Sequence, residues 1–257
     1  MKILITGAGS GIGKSIAIEL SRDEGNEILL IDSCEESKLL EIGSSCRAFG
    51  ASVYTYCVDI TDKIRFKNIC NDVSATFGAL DMIFVNAGIM SADDQNNSVR
   101  LMEVNYFAAV NTVQEFLPSM FKEKKGRIIF SNSIASLVTT LNSGDYSASK
   151  AALDAYADSL RLKLRGHGIT VTTAIIGFVD TPMIKGIRHA QLLAVSSELT
   201  ASVIIRSAMR GKSKVSVPAL RNSIWYILRY IRTPTRNRIE SIIERCFAFV
   251  LKQPADR

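Results

Sequence analysis

Short apolar runs alternate along the chain with segments in which apolar residues recur every three or four positions. The runs predict seven strands, over residues 2–6, 27–32, 52–58, 80–85, 127–131, 170–176 and 214–217. Two of the intervening helical stripes consist of Ile12, Ile16, Ala17 and Leu20, and of Phe66, Ile69, Cys70, Val73 and Phe77. This alternation predicts an α/β fold, with one doubly wound parallel sheet of about seven strands and helices on both faces.

The composition agrees with a folded α/β chain. Of the 257 residues, 47% are hydrophobic and 22% are charged, which provides enough apolar surface for a large core. These fractions exclude a disordered chain, a collagen and a disulfide scaffold. No internal repeat or Gly/Ser linker divides the alternating segments, so we expect one domain over residues 1–217 and a tail over residues 218–257.

The positive charge is concentrated at the end of the chain. The net charge is +6, but residues 1–209 hold 20 Lys and Arg against 22 Asp and Glu, whereas residues 210–257 hold 11 against 3. No recognised nucleic-acid-binding module accompanies the basic residues, so we expect no nucleic-acid partner.

The basic tail, residues 218–257, predicts two helices separated by Pro234. The second has a continuous apolar face formed by Ile239, Ile242, Ile243, Cys246, Phe247, Val250 and Leu251. Two interpretations remain open. The helices either pack on the protein's own surface or on a neighbouring subunit, or they form an interfacial segment that contacts an anionic membrane or a lipid substrate.

Neither a secretory leader nor a metal site is predicted. Met1 leads directly into an apolar run without a basic n-region, and no stretch of about 18 apolar residues occurs. The five cysteines are scattered, which is typical of reduced thiols, and His167 and His189 have no close ligand partners. We therefore expect a cytoplasmic protein, peripherally membrane-associated if the tail contacts lipid, with no metal.

A glycine-rich turn follows the first strand and opens a helix, in the segment Thr6-Gly7-Ala8-Gly9-Ser10-Gly11-Ile12-Gly13. Glycines allow the backbone to approach a pyrophosphate closely, and a helix N-terminus offers free N–H groups. The spacing matches neither G-x-G-x-x-G nor a Walker A loop. Its strand–turn–helix setting nevertheless predicts a nucleotide site, with contacts from Gly7, Ser10, Gly11, Ile12 and Gly13.

Asp32 closes the second predicted strand, 19 residues after Gly13. A carboxylate at this place can accept hydrogen bonds from the adenosine ribose hydroxyls and repel a 2′-phosphate. No basic residue follows it directly, because the next four residues are Ser33, Cys34, Glu35 and Glu36. Asp32 therefore favours NAD over NADP as the cofactor.

Tyr146 and Lys150 stand four residues apart in a predicted helix, thirteen residues after Ser133. Residues at this spacing share one helix face. An ammonium beside a phenol stabilises the phenolate, so we expect Lys150 to lower the pKa of Tyr146 from about 10. Tyr146 is then a candidate general acid and base near neutral pH.

Together, these motifs resemble those of the classical short-chain dehydrogenase/reductase family, over roughly residues 1–217. The resemblance implies a Rossmann-like fold and a catalytic domain that binds a dinucleotide. It adds Asn105 as a fourth catalytic residue beside Ser133, Tyr146 and Lys150. Its further cofactor-binding positions are Asp59, Ile60, Asn86, Ala87, Gly88, Gly177, Val179 and Thr181, together with Tyr146 and Lys150.

The resemblance also implies a hydride transfer between a nicotinamide cofactor and an alcohol or ketone. Ser133 would bind the substrate oxygen and Tyr146 would exchange its proton, while Lys150 and Asn105 would support a proton relay. The segments expected to face the substrate are mostly apolar, which favours a lipophilic secondary alcohol or ketone. They cover residues 89–91, 137–141 and 183–193, the last as a lid that carries Ile184, Ile187, Leu192 and Leu193.

Two other functions on the same fold remain as alternatives. An NADPH-dependent 3-oxoacyl-type reductase is disfavoured by Asp32. A catalytically silent NAD(H)-sensing protein would typically lack the Tyr or the Lys, whereas this chain has both. Family members are commonly dimers or tetramers, so the resemblance also implies a homodimer or homotetramer.

Overall fold

The computed structural model describes residues 1–90, 98–139 and 143–219. Seven parallel strands form one sheet in the order β3-β2-β1-β4-β5-β6-β7. They are β1 (Lys2–Thr6), β2 (Glu27–Asp32), β3 (Ser52–Cys57), β4 (Met82–Val85), β5 (Gly126–Ser133), β6 (Ile169–Ile176) and β7 (Lys214–Val217). The predicted doubly wound parallel sheet is confirmed.

Helices connect the strands and cover both faces of the sheet. The described α-helices are α1 (Gly11–Leu20), α2 (Glu36–Arg47), α3 (Lys63–Phe77), α4 (Ser98–Met102), α5 (Ala109–Glu123), α6 (Gly144–Lys163), α7 (Arg188–Leu192) and α8 (Ser197–Met209). A π-helical stretch, Glu103–Ala108, joins α4 to α5. Short 3-10 helices occupy Ile134–Ser136 and Pro182–Ile184.

Successive strand residues point to opposite faces and enter two separate cores. On β1, Leu4 packs with Phe66 and Phe116 on the side of α3, α5 and α6. Its neighbour Ile5 packs with Ile16, on the side of α1, α2 and α8. Because both faces are covered, the central strands β1, β2 and β4 are almost continuously apolar.

The main difference from the predicted strands concerns β5. It was expected to end at residue 131, but it continues through Asn132 to Ser133 because those residues pair with Ile175 and Ile176 of β6. Ser133 therefore stands at the end of a strand. The carboxyl ends of all seven strands lie at one edge of the sheet, and the strand order reverses there between β1 and β4, which is where open α/β sheets bind ligands.

The cysteines, the helix lengths and the possible metal ligands can be stated for the described residues. Cys34, Cys46, Cys57 and Cys70 are free thiols, and of these Cys46 and Cys70 are buried. Within residues 1–90, 98–139 and 143–219, no helix is long and apolar enough to cross a bilayer. Over the same ranges, no three His, Cys, Asp or Glu side chains are grouped so that they could hold a metal ion. The predicted tail helices fall in residues 220–257, outside the described part of the chain.

Candidate active site

The glycine turn between β1 and α1 is packed so closely that its glycine positions have no room for a side chain. Gly7 has a φ of +68°, and a Cβ on it would lie 2.7 Å from Cα of Ala87. A Cβ on Gly13 would overlap the carbonyl oxygen of Gly7 and lie 2.7 Å from Nδ2 of Asn86. The turn therefore presents bare backbone beside the N-terminus of α1, as the close approach of a pyrophosphate requires.

Hydrogen bonds tie this turn to the end of β4. Oγ1 of Thr6 accepts from the backbone N–H groups of Asn86 and Ala87, at 3.1 and 3.2 Å. Nδ2 of Asn86 donates to the Gly7 carbonyl at 3.1 Å, and its Oδ1 accepts from Ser131 at 2.9 Å. Asn86 and Ala87 thus lie where the resemblance implied. Sequence reasoning missed Thr6 and Ser131, although each is a polar residue at the end of an apolar strand.

Asp32 stands directly beside the glycine turn. Its Oδ2 accepts from the Gly9 N–H at 2.7 Å, and its Oδ1 accepts from the Cys34 N–H at 2.7 Å. A Cβ on Gly9 would lie 2.9 Å from the carboxyl carbon of Asp32. These backbone bonds fix the carboxylate at the edge of the turn, in the position expected of a ribose ligand.

Asp59 lies in the loop after β3, next to Ile60, which is buried. One oxygen of Asp59 accepts from the N–H and the hydroxyl of Thr61, at 2.9 and 2.7 Å. The other accepts from the Arg100 guanidinium at 2.6 Å. Burial raises the pKa of Asp59, but the bonds from Thr61 and Arg100 outweigh it and hold the pKa below its ordinary value. Sequence reasoning missed Arg100.

Ser133, Tyr146 and Lys150 come together at the end of β5. Tyr146 and Lys150 lie on α6, where both are buried, and Nζ of Lys150 is 5.9 Å from the centroid of the Tyr146 ring. Nζ also donates to the Ser131 carbonyl at 3.3 Å. The Ser133 hydroxyl accepts from the Ala135 N–H at 3.1 Å, which orients it at the end of the strand.

The expected lowering of the Tyr146 pKa by Lys150 is wrong for the protein alone. Burial raises the pKa of Tyr146 above its ordinary value, and a hydrogen bond with Ser133 reverses only part of that shift. Burial also lowers the pKa of Lys150 from 10.5 to about 8. Desolvation disfavours the charged form of each group and is the largest cause of both shifts.

Asn105 is fully buried in the π-helical stretch Glu103–Ala108. Its amide exchanges two 2.9 Å hydrogen bonds with the backbone of Ile89 and donates a third, at 3.1 Å, to the Ser149 hydroxyl. A Cβ on Gly88 would lie 3.1 Å from Oδ1 of Asn105 and 3.2 Å from Nζ of Lys150. Asn105 and Lys150 therefore meet on the same side of Gly88. Short π-helical insertions are common at functional sites.

The segment after β6 returns to the glycine turn. The Gly177 N–H donates to the Val217 carbonyl at 2.8 Å, and Val179 forms an isolated bridge with Val195. A Cβ on Gly11 would lie 2.7 Å from Cγ2 of Thr181, so Thr181 lies against the turn.

The predicted lid lies between Val179 and Val195, the two residues of that bridge. The apolar residues of this lid differ in exposure to solvent. Ile184 is buried, whereas Leu192 is 72% exposed. Part of the expected substrate-facing surface, residues 91 and 140–141, lies outside the described residues.

The predicted site residues thus gather at the carboxyl edge of the sheet. The bare glycine turn with Asp32 beside it has the form of a dinucleotide cradle, and the Ser133–Tyr146–Lys150 group lies on the other side of β1. The profile of the short chain dehydrogenase family matches residues 1–192. The chain belongs to the short-chain dehydrogenase/reductase family.

The chain is also similar to individual proteins of known name and to solved structures. The chain is 31% identical to a fatty acyl-CoA reductase of Acinetobacter baylyi over 221 residues, covering 83% of this chain and 74% of that protein. It is 28% identical to 11-beta-hydroxysteroid dehydrogenase A of Sesamum indicum over 250 residues, covering 88% and 71%. A short-chain dehydrogenase/reductase of Burkholderia phymatum, solved in complex with NAD, shares the fold with a TM-score of 0.78 and 22% identity, covering 87% and 91%. As a short-chain dehydrogenase/reductase, this protein is an oxidoreductase.

Proposed function

We propose that the protein is an NAD-dependent oxidoreductase that interconverts a lipophilic secondary alcohol and its ketone. The observation that carries this proposal is that Tyr146 and Lys150 are buried together beside the end of the strand that bears Ser133. Nζ of Lys150 lies 5.9 Å from the centroid of the Tyr146 ring. A lysine is rarely buried in a protein, and titratable groups with perturbed pKa values cluster at functional sites.

Each side chain has a separate part in the reaction. Ser133 donates a hydrogen bond to the substrate oxygen and stabilises its developing charge. Tyr146 holds the proton that the substrate oxygen gains on reduction and loses on oxidation. The nicotinamide group supplies or accepts the hydride when it is bound.

Lys150 and Asn105 connect Tyr146 to solvent in this proposal. Burial raises the pKa of Tyr146 and lowers that of Lys150, so the phenol keeps its proton until the substrate oxygen takes it during reduction. With a cofactor seated beside it, Lys150 also binds the nicotinamide ribose. Asn105 holds a water that links Lys150 to solvent, a part supported by the position of both residues around Gly88.

NAD is the proposed cofactor rather than NADP. The Asp32 carboxylate, fixed by the Gly9 and Cys34 N–H groups, would accept from ribose hydroxyls and repel a 2′-phosphate. The NAD complex of the Burkholderia protein supports a nicotinamide cofactor, and the choice of NAD rests on Asp32. The alternative is an NADPH-dependent 3-oxoacyl-type reductase. A measured preference for NAD or for NADP distinguishes the two functions.

A lipophilic substrate is supported by the side chains around Ser133. Leu137 and Val138 are buried just after it, and the lid beyond Val179 exposes Leu192. Two relatives carry names that refer to a fatty acyl-CoA and to a hydroxysteroid. Steady-state kinetics with NAD and NADP on long-chain, steroid-like and isoprenoid alcohols, against small polyols, tests the proposal. Preference for the polyols would contradict the lipophilic substrate, and preference for NADP would contradict the cofactor.

Self-association and a peripheral membrane contact complete the proposal. A homodimer or homotetramer is proposed from the family resemblance and is tested by sedimentation. The tail over residues 218–257 is proposed to contact an anionic membrane, since it holds most of the basic excess and one apolar helical face. It starts at the active-site edge, because Val217 pairs with Gly177. Packing of the tail on protein is the alternative.

A further inference from the structure

Arg100 binds the loop after β3 through two hydrogen bonds, a contact that we call the clamp. Its Nη2 donates to Oδ2 of Asp59 at 2.6 Å, and its Nη1 donates to the hydroxyl of Thr61 at 2.6 Å. Thr61 in turn donates its N–H and its hydroxyl to the other carboxylate oxygen of Asp59. A planar guanidinium presents two N–H donors in a fixed geometry that suits such paired acceptors, whereas the ammonium of a lysine is a point charge on a flexible stem.

The clamped loop lies on the adenosine side of the cradle. The Val58 N–H donates to the Asp32 carbonyl at 2.8 Å, so the loop begins beside the proposed ribose ligand. Strand β3, from which the loop leaves, lies next to β2 at the outer edge of the sheet. An adenosine held by Asp32 therefore has its base directed toward the loop that carries Asp59 and Ile60.

The other end of the clamp belongs to the catalytic side. Arg100 lies on α4, which continues into the π-helical stretch that carries Asn105. Arg100 and Asp59 are separated by 41 residues in sequence, and their side chains are each 40% exposed. Nη1 also lies 3.7 Å from Glu103, in the first turn of that stretch. A single side chain thus joins the adenosine-side loop to the helix that bears Asn105.

We propose that Arg100 is a positioning residue for the adenosine half of the cofactor, acting by fixing Asp59 and Thr61. The proposal rests on the dinucleotide function proposed above. Without the guanidinium, Asp59 keeps its bonds from Thr61 but loses the group that orients its second oxygen, so the loop must be ordered when the cofactor binds. The cost then falls on binding and leaves the hydride and proton steps unchanged.

Cofactor fragments test this assignment in the full-length enzyme. Fluorescence titration gives the dissociation constant of NADH, and competition gives the inhibition constants of AMP and of nicotinamide mononucleotide. Arg100→Gln is expected to weaken the binding of NADH and of AMP by the same factor, about tenfold, which corresponds to the loss of one charge-assisted hydrogen bond. The constant for nicotinamide mononucleotide and kcat at saturating NAD are expected to stay within about twofold of the parent, a split that separates binding from chemistry.

Two further variants and one control complete the experiment. Arg100→Lys and Thr61→Val, which each leave part of the clamp, are expected to show intermediate losses, and they keep the test valid if Arg100→Gln does not fold. Arg65→Gln, at an exposed position in the first turn of α3, is the control. The proposal is overturned if the inhibition constant of AMP is unchanged in all three variants. It is also overturned if AMP and nicotinamide mononucleotide lose affinity equally. Failure of the parent and of Arg65→Gln to bind NADH would instead overturn the proposed function.

Discussion

The ammonium of Lys150 lies 5.9 Å from the ring centroid of Tyr146, and α6 buries both side chains against the end of β5. Burial raises the pKa of the phenol and lowers that of the ammonium to about 8. Each group is therefore driven toward its neutral form by the same desolvation. The packing around the pair therefore determines the protonation state of both groups.

Replacement of Tyr146 by Phe is expected to abolish turnover without loss of cofactor binding. Only the hydroxyl is removed, and general acid–base groups contribute about 10²–10⁴-fold to rate. Steady-state kinetics and an NADH titration measure the two effects. Tyr156→Phe, on the same helix and packed against Phe130, is the matched control and should keep its activity. An active Tyr146→Phe enzyme would contradict the assigned role, and a parent that binds NADH without turnover would favour the silent sensor.

Lys150→Met is expected to stabilise the protein while it abolishes activity. The folded pKa of about 8 lies below the ordinary 10.5, so at pH 7 the folded protein carries a buried charge that the unfolded chain carries in water. Removing that charge should raise the free energy of unfolding by about 1–3 kcal/mol. Denaturant unfolding of the two proteins at pH 7 measures this gain.

The same substitution has a defined pH dependence. Between about pH 8 and 10.5 the unfolded chain binds more protons at Lys150 than the folded protein does, so the stability of the parent rises with pH through this window. The advantage of Lys150→Met should thus be largest below pH 8 and shrink by pH 10. A difference that stays constant with pH would show that packing, not the charge, separates the two proteins.

Local sequence patterns were sufficient to predict the seven strands and their parallel sheet, whereas Asn105 and most cofactor positions came from the family resemblance. Asp32 closes a predicted strand, and Tyr146 and Lys150 share a helix face, so these three positions follow from short-range periodicity. The place of Ser133 at a strand end does not, because pairing with β6 extends β5 two residues beyond the apolar run. The Arg100 contact with Asp59 spans 41 residues and has no local signal. The direction of the Tyr146 pKa shift also depends on how completely β5 and the neighbouring helices exclude water, which only the packed structure determines.

Gly13→Ala is expected to destabilise the protein and to remove cofactor binding. The new methyl group would overlap the Gly7 carbonyl, a backbone atom that cannot move without opening the turn. A cost of about 3 kcal/mol or more is expected from such overpacking. Gly25→Ala is the control, since a Cβ there meets nothing within 4 Å, and thermal unfolding should show it close to the parent. Equal stability of both variants would contradict the close approach in the turn.

Asp32→Asn is expected to shift the cofactor preference toward NADP by about tenfold. The amide keeps one acceptor for the Gly9 or Cys34 N–H and removes the charge that opposes a 2′-phosphate. The ratio of kcat/KM for NADP to that for NAD measures the change. Glu36→Gln, an exposed carboxylate in the first turn of α2, controls for a general change of charge. A similar shift in both variants would remove the specific role of Asp32.

The basic tail is expected to bring the full-length protein to vesicles that contain anionic lipid. Each Lys or Arg near such a surface contributes about 1 kcal/mol, and the apolar face of residues 239–251 adds burial in the interface. Trp225 is the single tryptophan of the chain and belongs to the tail, residues 218–257. Its fluorescence therefore reports contact with the vesicles, alongside co-sedimentation. Ile243→Glu should abolish binding, whereas Ser241→Glu, outside the apolar face, should weaken it only through its charge. Binding should also fall in high salt, because screening shortens the reach of the basic residues. If the parent does not sediment with anionic vesicles and Ile243→Glu instead lowers the melting temperature, the tail packs on protein.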